Sequence, residues 1–159
     1  MKDMENSEIH SFVAEKEMDP LIQRLWEHFD KIKDIFKWEI GTANKPYITL
    51  KHFMKLSRDY KMEKEHVKKS IVGWRYDHQW PNKSRLSRCD YIELIVRVSM
   101  FETEDTEGAF RTPAESTQLV LYYNVFANAK WTEGFRFRHR HCFHNKIDEF
   151  FYRNLSVIE

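Results

Sequence analysis

The chain has 159 residues, enough for one domain that buries roughly 70% of the surface its unfolded form exposes. Hydrophobic residues make up 42% and aromatics 15%, with only 4 Gly and 4 Pro, too few breakers for a turn-rich all-β domain, so an all-α class is expected. The net charge of +1 divides into blocks of −4 over residues 1–19, +6 over 51–90 and −4 over 91–115, and a pI near 7.8 falls short of the basic footprint of a dedicated nucleic-acid binder.

Residues 1–18 have mixed polar composition without periodicity and read as an extended arm that orders only against a partner. Asp19 then caps a helix with Pro20 at its first position. Leu21, Ile22, Leu25, Trp26, Phe29, Ile32 and Phe36 recur at three- and four-residue spacings, which predicts one helix with one broad apolar face. Gly41 to Pro46 breaks it, and a short extended piece, Tyr47-Ile48-Thr49, leads into a second helix. Thr49 caps that helix, Leu50, Phe53, Met54 and Leu56 face inward, and it ends near Tyr60. A third helix from about Glu63 to Trp74 buries Val67, Ile71 and Trp74 and leaves His66, Lys68 and Lys69 outside. Tyr76 to Arg85 reads as a loop.

Ser87 and Asp90 form a Ser-x-x-Asp variant of the capping box and open a fourth helix through Tyr91, Leu94, Ile95 and Val98. These elements, residues 19–102, form one unit, and the acidic stretch that follows makes residues 103–112 a linker. Thr112-Pro113 repeats the cap-plus-proline signal for a fifth helix with Leu119, Val120, Tyr122, Tyr123 and Phe126 as its apolar residues. A last helix or broken pair takes in Phe135, Phe137, Phe143, Ile147, Phe150, Phe151, Leu155 and Ile158. Residues 113–159 are thus expected to pack on the preceding unit.

Within the first four helices the chain repeats itself. Tyr47-Ile48-Thr49-Leu50-Lys51-His52-Phe53 aligns with Arg85-Leu86-Ser87-Arg88-Cys89-Asp90-Tyr91 at a spacing of 38 residues, each copy offering an apolar residue, a hydroxyl cap and an aromatic four residues beyond it. That order matches the second half of an EF-hand loop entering its exiting helix, in which the apolar residue at loop position eight pairs with its twin across a two-stranded ribbon. The twins here are Ile48 and Leu86.

Calcium needs oxygen ligands at positions one, three, five and twelve and a glycine at six. The first copy supplies Gly41, Ala43, Lys45, Pro46 and His52 at positions one, three, five, six and twelve, with no carboxylate among them. The second supplies Gln79, Pro81, Lys83, Ser84 and Asp90, where the single carboxylate is shorter than the usual Glu. A lysine at position five of each loop repels the ion. The expectation is an EF-hand-like pair, residues 19–102, that binds no calcium.

The run Ile48-Thr49-Leu50-x-x-Phe53-x-x-Leu56, then Ile71-Val72-x-Trp74, then Leu86-Ser87 with Tyr91-Ile92-Glu93-Leu94-Ile95-Val96-Arg97-Val98 resembles the degenerate EF-hand pairs of ciliary and flagellar axoneme proteins. Trp131, Phe135-Arg136, Phe143, Ile147-Asp148-Glu149-Phe150-Phe151 and Asn154-Leu155 are similar to the helix that follows such pairs. His52 and Tyr91 depart from the Glu-Phe or Asp-Phe pairs common in that group, which argues further against calcium but not against the fold. The resemblance implies a helical, non-catalytic, microtubule-associated or scaffold role in the axoneme.

Residues with chemical potential are few. His139, His141, Cys142 and His144 gather metal-ligand types, but on a helix they point to two different faces, and Arg136, Arg138 and Arg140 disfavour a cation, so no metal or cofactor is expected. Two cysteines exclude a disulfide scaffold and suggest reduced thiols in the cytosol. No apolar run is long enough to span a membrane, the polar start does not read as a secretory signal, and no glycine-rich phosphate loop, nucleophile elbow or His-Glu-x-x-His occurs. The chain therefore reads as neither an enzyme nor a membrane or nucleic-acid binder.

Trp26, Trp38, Trp74, Trp80 and Trp131 read as core anchors for the most part, Trp80 doubling as a loop contact. The partner-facing residues expected from this reading are Trp80, Lys83, Arg85 and Arg88 of the second loop, with Arg136, Arg138 and Arg140 as a further basic surface. The partner expected is tubulin or an axonemal scaffold protein. The alternative is a soluble calmodulin-like adaptor that grips a helical peptide outside any cilium.

Overall fold

A computed structural model describes residues 8–43, 47–79, 83–104 and 111–130. The chain divides into two compact units, Met1–Ala129 and Lys130–Glu159, and the elements below all belong to the first. They are helices α1 (Glu15–Glu27), α2 (Phe29–Ala43), α3 (Leu50–Asp59), α4 (Lys64–Asp77), α5 (Arg88–Glu104) and α6 (Pro113–Leu119), with strands β1 (Ile48–Thr49) and β2 (Arg85–Leu86). The described part is mostly helical, as composition predicts. The two strands pair antiparallel with Ile48 opposite Leu86 and Thr49 opposite Arg85, the register that the repeat predicts. Both twins are fully buried.

The α3 cap lies where the sequence places it, since the Thr49 hydroxyl accepts the His52 N–H at 3.1 Å. Thr112 and Glu115 complete a reciprocal capping box at α6, and Ser87 with Asp90 does the same at α5. Helix α3 ends in a Schellman turn, with the Met62 N–H on the Ser57 carbonyl at 2.9 Å and the Lys61 N–H on Arg58 at 3.0 Å. Lys61 takes the left-handed position at φ 58°, where glycine is usual.

Helix α5 is the central element. Leu94, Val96 and Val98 are fully buried, and α2, α4 and α6 all pack against it. Beside it Tyr91 meets Phe36 and Phe53 at ring separations of 5.6 and 6.0 Å. Its hydroxyl lies 3.4 Å from that of Tyr60, and burial raises the pKa of both phenols.

Several expectations need correction. The N-terminal arm orders against its own chain over residues 8–18. Ile9–Ser11 form a 3-10 turn, Ile9 and Val13 are buried, and α1 begins at Glu15, so Asp19 is no cap and Pro20 lies inside the helix. The amide hydrogen that Pro20 lacks would have gone to the carbonyl of Lys16, an exposed residue in the first turn. Glu15 and Glu17 suit the positive end of the helix dipole instead.

The single long first helix is two, broken at His28. Helix α1 packs on α6, whereas α2 packs on α5, and one straight rod cannot serve both. Trp26, at the end of α1, is consequently 51% exposed rather than a core anchor, while Trp74 is fully buried. Met54, Tyr122 and Tyr123 are likewise exposed, and His66, expected outside, is buried with its ring stacked on Phe101 at 6.2 Å. Helix α4 runs three residues past Trp74, so Tyr76 is helical rather than part of a loop. After α6 the chain widens into a π-helical segment, Val120–Phe126. That turn carries Asn124 to the end of α3, where its amide donates to the carbonyls of Tyr60 at 3.1 Å and Lys61 at 3.3 Å. The last predicted helix lies outside the described residues.

Candidate protein-binding surface

The three described members of the second-loop basic group go to three different places. Lys83 turns inward, with its ammonium 3.0 Å from Asp90 Oδ1 and 5.1 Å from the centre of the Trp74 ring. Arg85, on β2, is exposed and lays its guanidinium over Tyr47 at 4.8 Å. Half-buried Arg88 opens α5 and reaches the Phe29 ring at 5.4 Å. Cation–π seating of this kind leaves the edge of a guanidinium able to meet an acceptor. Trp80, Arg136, Arg138 and Arg140 lie outside the described residues, as do the four His and Cys residues from His139 to His144.

Asp90 is the hub of this end of the molecule. Oδ1 accepts Lys83 Nζ and, at 3.2 Å, Trp74 Nε1, while Oδ2 accepts the Ser87 N–H and hydroxyl, both at 2.7 Å. Four donors on a buried carboxylate repay the cost of removing it from water. In the first copy the matching residue, His52, instead sets Nε2 at 3.3 Å from Glu39 of α2.

One turn further along α5 a second polar cluster joins α4, α5 and the N-terminal turn. Arg97 pairs with Asp77 and, at 3.0 Å, with Glu93. Glu93 also lies 3.1 Å from His78 Nε2 and accepts the Glu8 N–H at 3.1 Å. The Arg97 guanidinium sits 3.8 Å from the centre of the Phe12 ring, and the Ser11 hydroxyl meets Asp77 at 3.1 Å. Gly73 eases the approach, because a Cβ there would stand 3.1 Å from Arg97 Nη1 and push the guanidinium slightly aside. These charges fasten residues 8–12 to the core, and the spacing of Asp77, Glu93 and Arg97 along the chain gives no sign that they meet.

Two exposed apolar patches escaped the sequence reading. On α4, Val72 and Tyr76 are 68% and 82% exposed, one turn apart. The other is an open groove at the π segment lined by Arg111, Glu115, Gln118, Leu119, Tyr122 and Tyr123. The first was hidden by ending the third helix at Trp74, which took Tyr76 off the face it shares with Lys68, Lys69 and Val72. The second was hidden by reading Tyr122 and Tyr123 as core.

Among the described residues, no group of three or more His, Cys, Asp or Glu side chains is arranged to hold a metal ion, and no helix is long and apolar enough to cross a membrane. No protein-family model matches this chain, and comparison with curated proteins and with solved structures found no match either.

Proposed function

We propose that the chain is a non-catalytic protein-binding module of the ciliary axoneme, microtubule-associated and built on an EF-hand-like pair that works without calcium. The observation that carries the reading is the join between the two copies of the repeat. Ile48 faces Leu86 across a two-residue ribbon, and the lysine at position five of the second copy places its ammonium on the carboxylate at position twelve. In this reading the lysine does for the carboxylate what a bound cation does in a metal-binding loop, so the pair needs no ion. Further support comes from α6, which packs against α5 and α1 and covers apolar surface that an open pair would offer to a target helix. A pair closed in this way binds through its outer surface, where the basic block from residue 51 to 90 supplies attraction to an acidic lattice such as tubulin.

Co-sedimentation of the purified full chain with microtubules across a salt series, with calcium and with chelator, tests the proposal. The expected outcome is calcium-independent pelleting that fades as salt screens the basic block. Absence of pelleting at every salt concentration overturns the lattice reading and favours the adaptor. Calcium-dependent pelleting overturns the closed-loop reading.

A further inference from the structure

The outer face of α4 combines four features. At 3.6 residues per turn, Lys68, Lys69, Val72, Arg75 and Tyr76 fall within about one third of the helix circumference. His66, Val67, Ser70, Ile71 and Trp74, all buried, make up the opposite face. In the middle of the outer face stand Val72 and Tyr76, exposed by 68% and 82% and aligned at i and i+4.

Positive charge surrounds this apolar pair. Residues 64–77 carry a net charge of +2, and one of their two acids, Asp77, is turned onto Arg97 and Ser11. Glu65 pairs with Lys68 at 2.7 Å, and Lys69 lies 5.6 Å from the Phe101 ring while remaining exposed to solvent. Arg75 is different. Its Nε is buried without a hydrogen-bond partner, and no ion pair holds its guanidinium among the described residues. Arg75 as a whole is half-buried beside the apolar pair, and a guanidinium whose charge no carboxylate of the described residues balances favours one brought by another molecule.

From this geometry we infer that the outer face of α4 is a docking site for an acidic segment of another protein, one that lays two apolar side chains a helical turn apart over Val72 and Tyr76 and a carboxylate against Arg75. The inference rests on the protein-binding reading above and assigns it a surface. Tyr76 is the anchor, because a large exposed aromatic loses the most water on contact. The flanking lysines speed encounter and set polarity.

The test uses the full chain and a labelled helical peptide rich in glutamate that carries two leucines at i and i+4. The expected result is salt-sensitive binding, with amide shifts concentrated on residues 68–79, weakened about tenfold by Tyr76→Glu and several-fold by Arg75→Gln. Tyr76 is exposed enough for Tyr76→Glu to leave the melting curve in place, so a fold defect is separable from lost binding. No peptide binding, or binding that neither substitution changes, overturns the inference. Binding to phosphatidylserine vesicles but not to the peptide overturns it in favour of a membrane surface, and a dimer that Tyr76→Glu dissociates overturns it in favour of a second copy. Microtubule pelleting separates the two claims. Peptide binding without pelleting removes the lattice reading and keeps the site, whereas pelleting without peptide binding keeps the lattice reading and removes the site.

Discussion

The two copies of the strand–cap–helix repeat share a backbone and differ in what fills the loop. In the first, Thr49 caps α3 and His52, itself partly exposed, reaches sideways to the buried Glu39 on α2 as a single ion-pair contact. In the second, Asp90 gathers Ser87, Lys83 and Trp74 at the start of the most buried helix. The apolar twins are equivalent, but the polar residues at position twelve are not. Ribbon pairing depends on hydrophobic matching alone, so it survives whatever chemistry occupies the loops.

The largest effects are expected from the part the copies share. Ile48→Ala and Leu86→Ala should each cost about 3 kcal/mol in urea unfolding, because both side chains are fully buried. The double variant should cost less than the sum, since the residues face each other. Equal single costs would support the equivalence of the twins, and a large inequality would break it.

Position twelve should then separate the copies. Asp90→Ala strands the Lys83 ammonium and the Trp74 indole N–H and is expected to cost about 3 kcal/mol, whereas His52→Ala should cost about 1 kcal/mol. Asp90→Ala combined with Lys83→Met should recover part of the loss, measured by the same unfolding curves. Similar costs for the two single substitutions would erase the distinction between the loops.

Smaller still are the caps. Thr49→Ala and Ser87→Ala should each lower stability by about 1 kcal/mol, read as a shift in thermal midpoint. The last prediction concerns pH. Burial raises the phenol pKa of Tyr60, at the end of the first copy's helix, and of Tyr91, in the second. The folded state favours the neutral phenols, so their contribution to stability is complete below the unfolded value of about 10 and is lost as pH rises above it. Among the tyrosines of the described residues, absorbance should therefore show these two phenols ionising only with unfolding, and Tyr91→Phe should reduce the total that does so by one.

Legibility in the sequence followed the range of the interaction. Thr49, Ser87 with Asp90, and Thr112 with Glu115 were readable because a cap and its target lie within three residues. The ribbon register was readable because the repeat presents both strands in the same frame. The break at His28 was not, since no proline or glycine marks it and the apolar period continues through it. Within the candidate surface, Arg85 is exposed as expected, but Lys83 is spent on Asp90, and the Val72–Tyr76 face was cut by a helix end placed three residues early.

Sequence alone determined the helical class, the capped starts of α3, α5 and α6, and the pairing of Ile48 with Leu86, because each rests on local spacing or on residue type. Only the tertiary structure decided that Ile9 and Val13 belong to the core, that Lys83 turns inward onto Asp90, and that Arg97 passes close to Gly73. It also decided which face of α4 stays bare. Those outcomes depend on groups far apart in the chain that meet in a medium of low dielectric, where a charge settles beside whichever partner the packing brings within reach.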